Sequence, residues 1–243
     1  MNPTSAKTRW NFIVLGIFGI AMGFLEAIVV VYLRQIYYPN GFEFPFVMLS
    51  PEMLLIEWVR EIATLVMLLT IGMLVGKTRL ERFFYFIYCF GVWDIIYYVA
   101  LKIFLDWPTS LLTWDVLFLI PIPWIGPVLP PVICSVTMIL FAVIALTLKA
   151  KGRVLLLKWF HWGLLILGSL IIIVSFMWDF LMIILKNDFL SQFWTLATNE
   201  RFLEIVSDYV PTSFNWSLFA IGEILILVTI VHVIYKIGRS EIS

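Results

Sequence analysis

Six stretches of the chain, at 11–33, 53–75, 83–105, 128–148, 159–185 and 214–236, stay apolar for about 20 residues or more, long enough to cross roughly 30 Å of hydrocarbon as helices. Lipid offers no hydrogen bonds, so each such run must satisfy its own backbone, and a helix does so within the segment. The pattern predicts an all-α, polytopic membrane helix bundle with six transmembrane helices, forming one transmembrane domain over 1–243. Composition agrees: 63% of residues are hydrophobic and 13% charged, against roughly 25% charged in an average globular chain. The formal net charge is zero, and no basic stretch has the length of a nucleic-acid arm, so nucleic acid is not expected as a partner. The first run, Phe12–Leu33, is longer than a signal-peptide core and reads as a retained span.

Lys and Arg are distributed unevenly between the connections. Lys7, Arg9, Lys77, Arg79, Arg82, Lys149, Lys151, Arg153, Lys158, Lys236 and Arg239 fall on one side, leaving Arg34, Arg60, Lys102, Lys186 and Arg201 for the other side and the membrane interior. Basic connections stay in the cytoplasm, which predicts cytoplasmic N- and C-termini in a prokaryotic cytoplasmic (inner) membrane. The opposite connections are longer and apolar. Segment 106–131 carries Pro121, Pro123, Pro127, Pro130 and Pro131, which forbid a continuous helix. It is expected to form a short helix at 113–120 and then a Pro-rich re-entrant or capping segment, with Asp115 turned toward the bundle. Segment 186–213 is expected to form interfacial amphipathic helices capped by Asp188 and Asn199.

The second span contains "EWVREIATLV" at 57–66. Glu57 and Glu61 are spaced i, i+4 and so share a helix face; Arg60 is in reach of Glu57, and Thr64 continues the stripe. Other spans carry Glu26, Asp94, Asp179 and Glu223. Ionisable groups at such depth cost about 2.5–3.5 kcal/mol each by insertion measurements. All six acids lie at the middle or in the outer halves of their spans. The inner halves, such as "VMLLTIGMLV" and "VTMILFAVIALTL", carry no charge. His161 and His232 lie toward the inner edge, where an interfacial role is expected, and Cys89 and Cys134 read as small buried hydrophobes.

The acids are therefore expected to converge on one polar cavity, with Arg60 as the only deep cation. Two functional classes fit a one-sided cavity. The first is a membrane-embedded enzyme on a lipid or isoprenoid-type substrate, with Glu57, Glu61, Asp94 and Asp179 as catalytic or metal-ligating carboxylates. Arg60, Lys102, Tyr98, Trp93 and Asp115 would bind substrate, while Glu26, Glu223 and Thr64 would complete the cavity. An all-oxygen set suits a divalent ion: Mg²⁺, Mn²⁺ or Ca²⁺. The second is a solute- or quinone-binding subunit of a larger membrane complex, or a cation- or proton-coupled transporter, with other membrane subunits as partners. Beyond these, the expected partners are the lipid bilayer and a lipid-like ligand. No haem, nucleotide or iron–sulfur motif is present in the sequence.

Overall fold

The computed structural model describes residues 3–239. In chain order it contains α1 (Pro3–Tyr37), α2 (Pro51–Val75), α3 (Arg79–Leu105), β1 (Trp114–Phe118), β2 (Trp124–Pro127), α4 (Leu129–Ala150), α5 (Trp159–Lys186), a 3₁₀ helix (Phe189–Thr198), α6 (Glu200–Ser207) and α7 (Trp216–Arg239). Helices α1–α5 and α7 are long and apolar enough to cross a membrane. The chain is thus an integral membrane helix bundle as the apolar runs predict.

Local chemistry sets the helix ends. Ser50 caps α2 by accepting from the Met53 amide at 3.3 Å, with Pro51 in the first turn, where its missing N–H costs nothing. Thr78 and Glu81 form a reciprocal capping box on α3. Asn199 caps α6 through the Phe202 amide at 3.0 Å, as expected. Asp188, expected to cap in the same way, instead sits in the left-handed region and makes no side-chain cap, and a 3₁₀ helix follows it.

The expected short helix at 113–120 is not formed. Residues 114–127 make an antiparallel hairpin, pairing Trp114 with Pro127, Asp115 with Gly126 and Val116 with Ile125, with a bulge between Val116 and Phe118. The reason is readable afterwards. Trp114, Val116 and Phe118 alternate with Asp115 and Leu117, a period of two in β-branched and aromatic residues. The prolines at 121 and 123 sit in the tip, where no ladder bond is needed. Pairing satisfies backbone groups that an irregular segment would leave bare.

Helix α3 is central and packs against α1, α2 and α4; α4 leans on α7, which pairs with α5, and β2 lies on α5. Two close approaches depend on glycine. A Cβ at Gly23 would lie 2.8 Å from the Trp93 carbonyl oxygen, so α1 meets α3 almost backbone to backbone. Gly168 and Gly222 do the same for α5 and α7, each within 2.9 Å of the other's carbonyl oxygen if given a Cβ.

The end of the bundle away from the hairpin is filled by a dry core that includes Leu15, Leu68, Phe84, Phe141 and Val233. At that end His161 accepts from the Lys158 amide through Nδ1 at 3.0 Å, and its ring lies 5.3 Å from that of His232. Cys89 is buried in the same core and Cys134 is half-buried; neither forms a disulfide. Above the other end, the hairpin, the 3₁₀ helix and α6 close over a second apolar cluster containing Ile122, Phe180, Phe189 and Phe202.

Candidate functional site

One face each of α1, α2 and α3 supplies a polar chamber beneath the hairpin. Glu26, Val30, Leu33, Arg34 and Tyr37 line it from α1, at spacings of i, i+4, i+7, i+8 and i+11. Helix α2 contributes Glu57, Arg60 and Glu61; α3 contributes Trp93, Asp94, Tyr97 and Tyr98; the hairpin lowers Asp115 from above. The chamber has a volume of about 140 Å³.

Arg60 is held on several sides. It donates from Nε to Glu57 at 2.8 Å, pairs with Glu57 again through Nη2 at 2.8 Å, and bonds through Nη1 to Glu26. Glu61 lies 4.0 Å away. Thr64 donates to Glu26 at 3.1 Å, tying α2 to α1 from below. Glu61 accepts the Leu119 amide with both oxygens, at 3.0 and 3.2 Å, and Trp58 donates to the carbonyl of the same residue at 3.2 Å. The hairpin tip is thereby bolted to α2 through one residue.

Arg34 is the second guanidinium of the chamber, so Arg60 is not the only deep cation. Its Nη2 donates to Asp115 Oδ1 at 2.9 Å, and both side chains are more than nine-tenths buried. The guanidinium carbon stacks 3.7 Å from the Trp107 ring centroid and 4.5 Å from that of Phe42, an arrangement favourable to a cation over a π face. Ending α1 at Leu33 hides Arg34. The i+8 spacing from Glu26 is the signal that finds it, together with Tyr37 three residues on. Burial pushes the Asp115 carboxyl up to about 6, against the opposing pull of Arg34 and the Val116 amide.

Among the described residues three buried side-chain polar atoms have no hydrogen-bond partner: Arg34 Nη1, Asp115 Oδ2 and Trp93 Nε1. All three residues line the chamber. Buried polar groups are nearly always satisfied in native proteins, so three together on one chamber are unusual.

The expected convergence of acids is partial. Glu26, Glu57, Glu61, Asp94 and Asp115 line the chamber with Arg60, Trp93 and Tyr98, and Thr64 supports it through Glu26. Asp94 accepts from Ser135 of α4 at 2.8 Å. Asp179 instead bonds to Tyr209, and Glu223 accepts from Thr137 of α4 at 2.5 Å. These two acids belong to α5 and α7, which pack on each other, on α4 and on the hairpin, rather than on the α1–α3 face.

Lys102 pairs with Asp106 at 2.7 Å on the exposed surface. It lies roughly 80° around the helix from Asp94, and Leu101 takes the inward direction instead. The four carboxylates expected to share a divalent ion are thus divided among Arg60, the Leu119 amide, Ser135 and Tyr209. Among the described residues no group of three His, Cys, Asp or Glu side chains is placed to hold a metal ion.

A second chamber of about 260 Å³ adjoins the first. It is almost wholly apolar, lying between Leu54 and Trp58 of α2, Phe180 of α5, the hairpin tip, and Phe193 and Phe202 of the cover. Phe46, Leu49 and Leu119 line both chambers and form the wall between them. In comparisons with known protein families, curated proteins and solved structures, nothing matches this chain.

Proposed function

We propose that the chain is a membrane-embedded enzyme acting on a lipid-type substrate, with the substrate's head in the polar chamber and its chain in the apolar one. The observation that carries this reading is the shared wall: a charged chamber and an apolar chamber meet across Phe46, Leu49 and Leu119. An amphiphile matches that juxtaposition, whereas a wholly polar solute would leave the larger chamber unused.

Within this reading Arg34 and Trp93 donate to the head group through their unpartnered nitrogens. Glu61 and Asp94 have no guanidinium within 3.5 Å and are the carboxylates assigned to proton transfer, Glu61 beside the hairpin tip and Asp94 beside Ser135. Arg60 with Glu26 and Glu57 sets the spacing of α1 and α2. The basic connections are proposed to be cytoplasmic and the chamber to face the outer leaflet of a prokaryotic inner membrane. Reporter fusions after Gly41 and Ser191 are expected outside and one after Lys151 inside; the reverse pattern rejects that orientation.

The activity is tested by incubating detergent-purified protein with a membrane lipid extract and following head-group changes by mass spectrometry. Conversion is expected with the wild type and a loss of about 100-fold or more with Glu61→Gln or Asp94→Asn, the scale of general acid–base catalysis. Lipid that co-purifies with the wild type and is never converted overturns the enzymatic reading in favour of a binding subunit using the same two chambers.

A further inference from the structure

Resting on the lipid-type reading above, we infer that the head group taken by the polar chamber carries an ammonium beside a hydrogen-bond-accepting oxygen, the chemistry of an amino-alcohol head. The chamber's charge is the first argument. Five carboxylates, Glu26, Glu57, Glu61, Asp94 and Asp115, face two guanidiniums, Arg34 and Arg60. The Arg60 fork is already spent on Glu57 and Glu26. Neither Glu61 nor Asp94 has a guanidinium at bonding distance; their partners are the Leu119 amide and the Ser135 hydroxyl. A cation on the ligand offsets this surplus. A phosphate monoester would add to it, and the one guanidinium left to receive it is that of Arg34, already paired with Asp115.

The unpartnered atoms supply the second argument, independent of the charge. Arg34 Nη1 and Trp93 Nε1 are donors and require an acceptor; Asp115 Oδ2 is an acceptor and requires a donor. A ligand with an ammonium alone leaves the two donors bare, and one with only ether or carbonyl oxygens leaves Asp115 bare. A head carrying both groups satisfies all three; a polyol head does so too, and the surplus of carboxylates is what favours the ammonium over it. The rings of Trp93, Tyr97 and Tyr98 line the same space and favour a cation at their faces.

Size agrees. The chamber's 140 Å³ is close to the engineered cavity of about 150 Å³ that holds one benzene. A head of roughly that size fits and a disaccharide does not. Two sources share this chemistry. One is a single-chain 2-amino alcohol, whose head is a net cation and whose hydroxyl supplies the oxygen. The other is an ethanolamine phospholipid, whose phosphate diester supplies the oxygen and cancels the net charge while leaving the ammonium to pair with a carboxylate.

The test is binding by native mass spectrometry of the wild-type protein in a neutral maltoside detergent. The panel is phosphatidylethanolamine, a long-chain 2-amino alcohol, a monoacylglycerol and phosphatidylglycerol. At least one amine-bearing lipid is expected to bind about tenfold or more tighter than both others, the scale of a charge-assisted hydrogen bond; which one separates the two sources. Phosphatidylglycerol or monoacylglycerol binding as tightly as the amines overturns this inference and leaves the lipid-type reading standing. Failure of every lipid to bind overturns both. Asp94→Asn is expected to reduce amine binding toward the monoacylglycerol value without weakening monoacylglycerol itself; an undiminished amine preference in a folded Asp94→Asn protein also overturns the inference.

Discussion

The two guanidiniums of the polar chamber are held in opposite ways. Arg60 projects from the middle of a helix, remains one-fifth exposed, and pairs with Glu57 on its own helix and Glu26 on the next, with Glu61 at 4.0 Å. Arg34 projects from the last turn of α1, is more deeply buried, has one carboxylate, rests on two aromatic rings, and leaves a nitrogen unused. A cation surrounded by fixed carboxylates has little left to give a ligand. A cation that is stacked, singly paired and partly unsatisfied has been oriented without being consumed. On the proposed lipid-binding reading, Arg60 belongs to the scaffold and Arg34 to recognition.

Removing each guanidinium tests that division. Arg60→Met strands Glu26 and Glu57 and is expected to destabilise the detergent-solubilised protein by about 3–5 kcal/mol, the cost of breaking a buried pair. Adding Glu57→Gln should recover part of the lost melting temperature. A fully stable Arg60→Met protein that no longer binds lipid would exchange the roles of the two arginines.

Arg34→Met is expected to fold with a smaller loss and to bind lipid about tenfold or more weakly. Its stability deficit should depend on pH. In the wild type burial pushes Asp115 up to about 6 against the pull of Arg34. Without Arg34 its pKa rises further, so below about 6 both proteins hold it protonated. Above that pH only the wild type gains the ion pair, while the variant must keep the proton or strand the carboxylate at a cost. Melting curves should therefore separate from wild type as pH rises through 6 and converge below it. A deficit independent of pH would mean that Arg34 acts chiefly through its stacking on Trp107 and Phe42.

A related titration sharpens the recognition half of the comparison. Asp115 faces Arg34 from α1 and shares the chamber with Asp94, Tyr97 and Tyr98 of α3 and with Glu57, Arg60 and Glu61 of α2. Its ionisation adds a negative charge, so amine-lipid binding should strengthen as pH rises through about 6. Binding that weakens over this range would count against a cationic head. The smallest effect is expected from Trp58→Phe, which removes one hydrogen bond to Leu119 and should cost about 1 kcal/mol. A larger loss would show that the tip depends on Trp58 for packing as well.

The six spans, the polar face of α2 and the inward turn of Asp115 are legible in the sequence, because hydropathy and helical spacing are local signals. What was not legible depends on which helices meet. Asp179 and Glu223 have the depth and neighbours of chamber residues, yet α5 and α7 pair with each other, and no spacing within one helix reveals its partner. Charge alone points to Lys102 as a chamber residue, but its angular drift from Asp94 turns it out to Asp106. Helix α1 continues to Tyr37, past the end of the apolar run at Leu33, so hydropathy leaves Arg34 outside the span. The hairpin was concealed by its prolines, which exclude a long helix without saying what replaces it.

Helix α2 packs mainly on α3, while its carboxylate Glu61 and its indole Trp58 grip both backbone groups of Leu119. Helix α2 and the tip of the hairpin are therefore tied together through Leu119. A displacement of α2 away from α1 would stretch the Arg60–Glu26 tether and drag Leu119 with it. Leu119 is one of three side chains dividing the chambers, so the partition would shift in the same stroke. Shifting that partition and disturbing the charges around Arg60 would then be one coupled change.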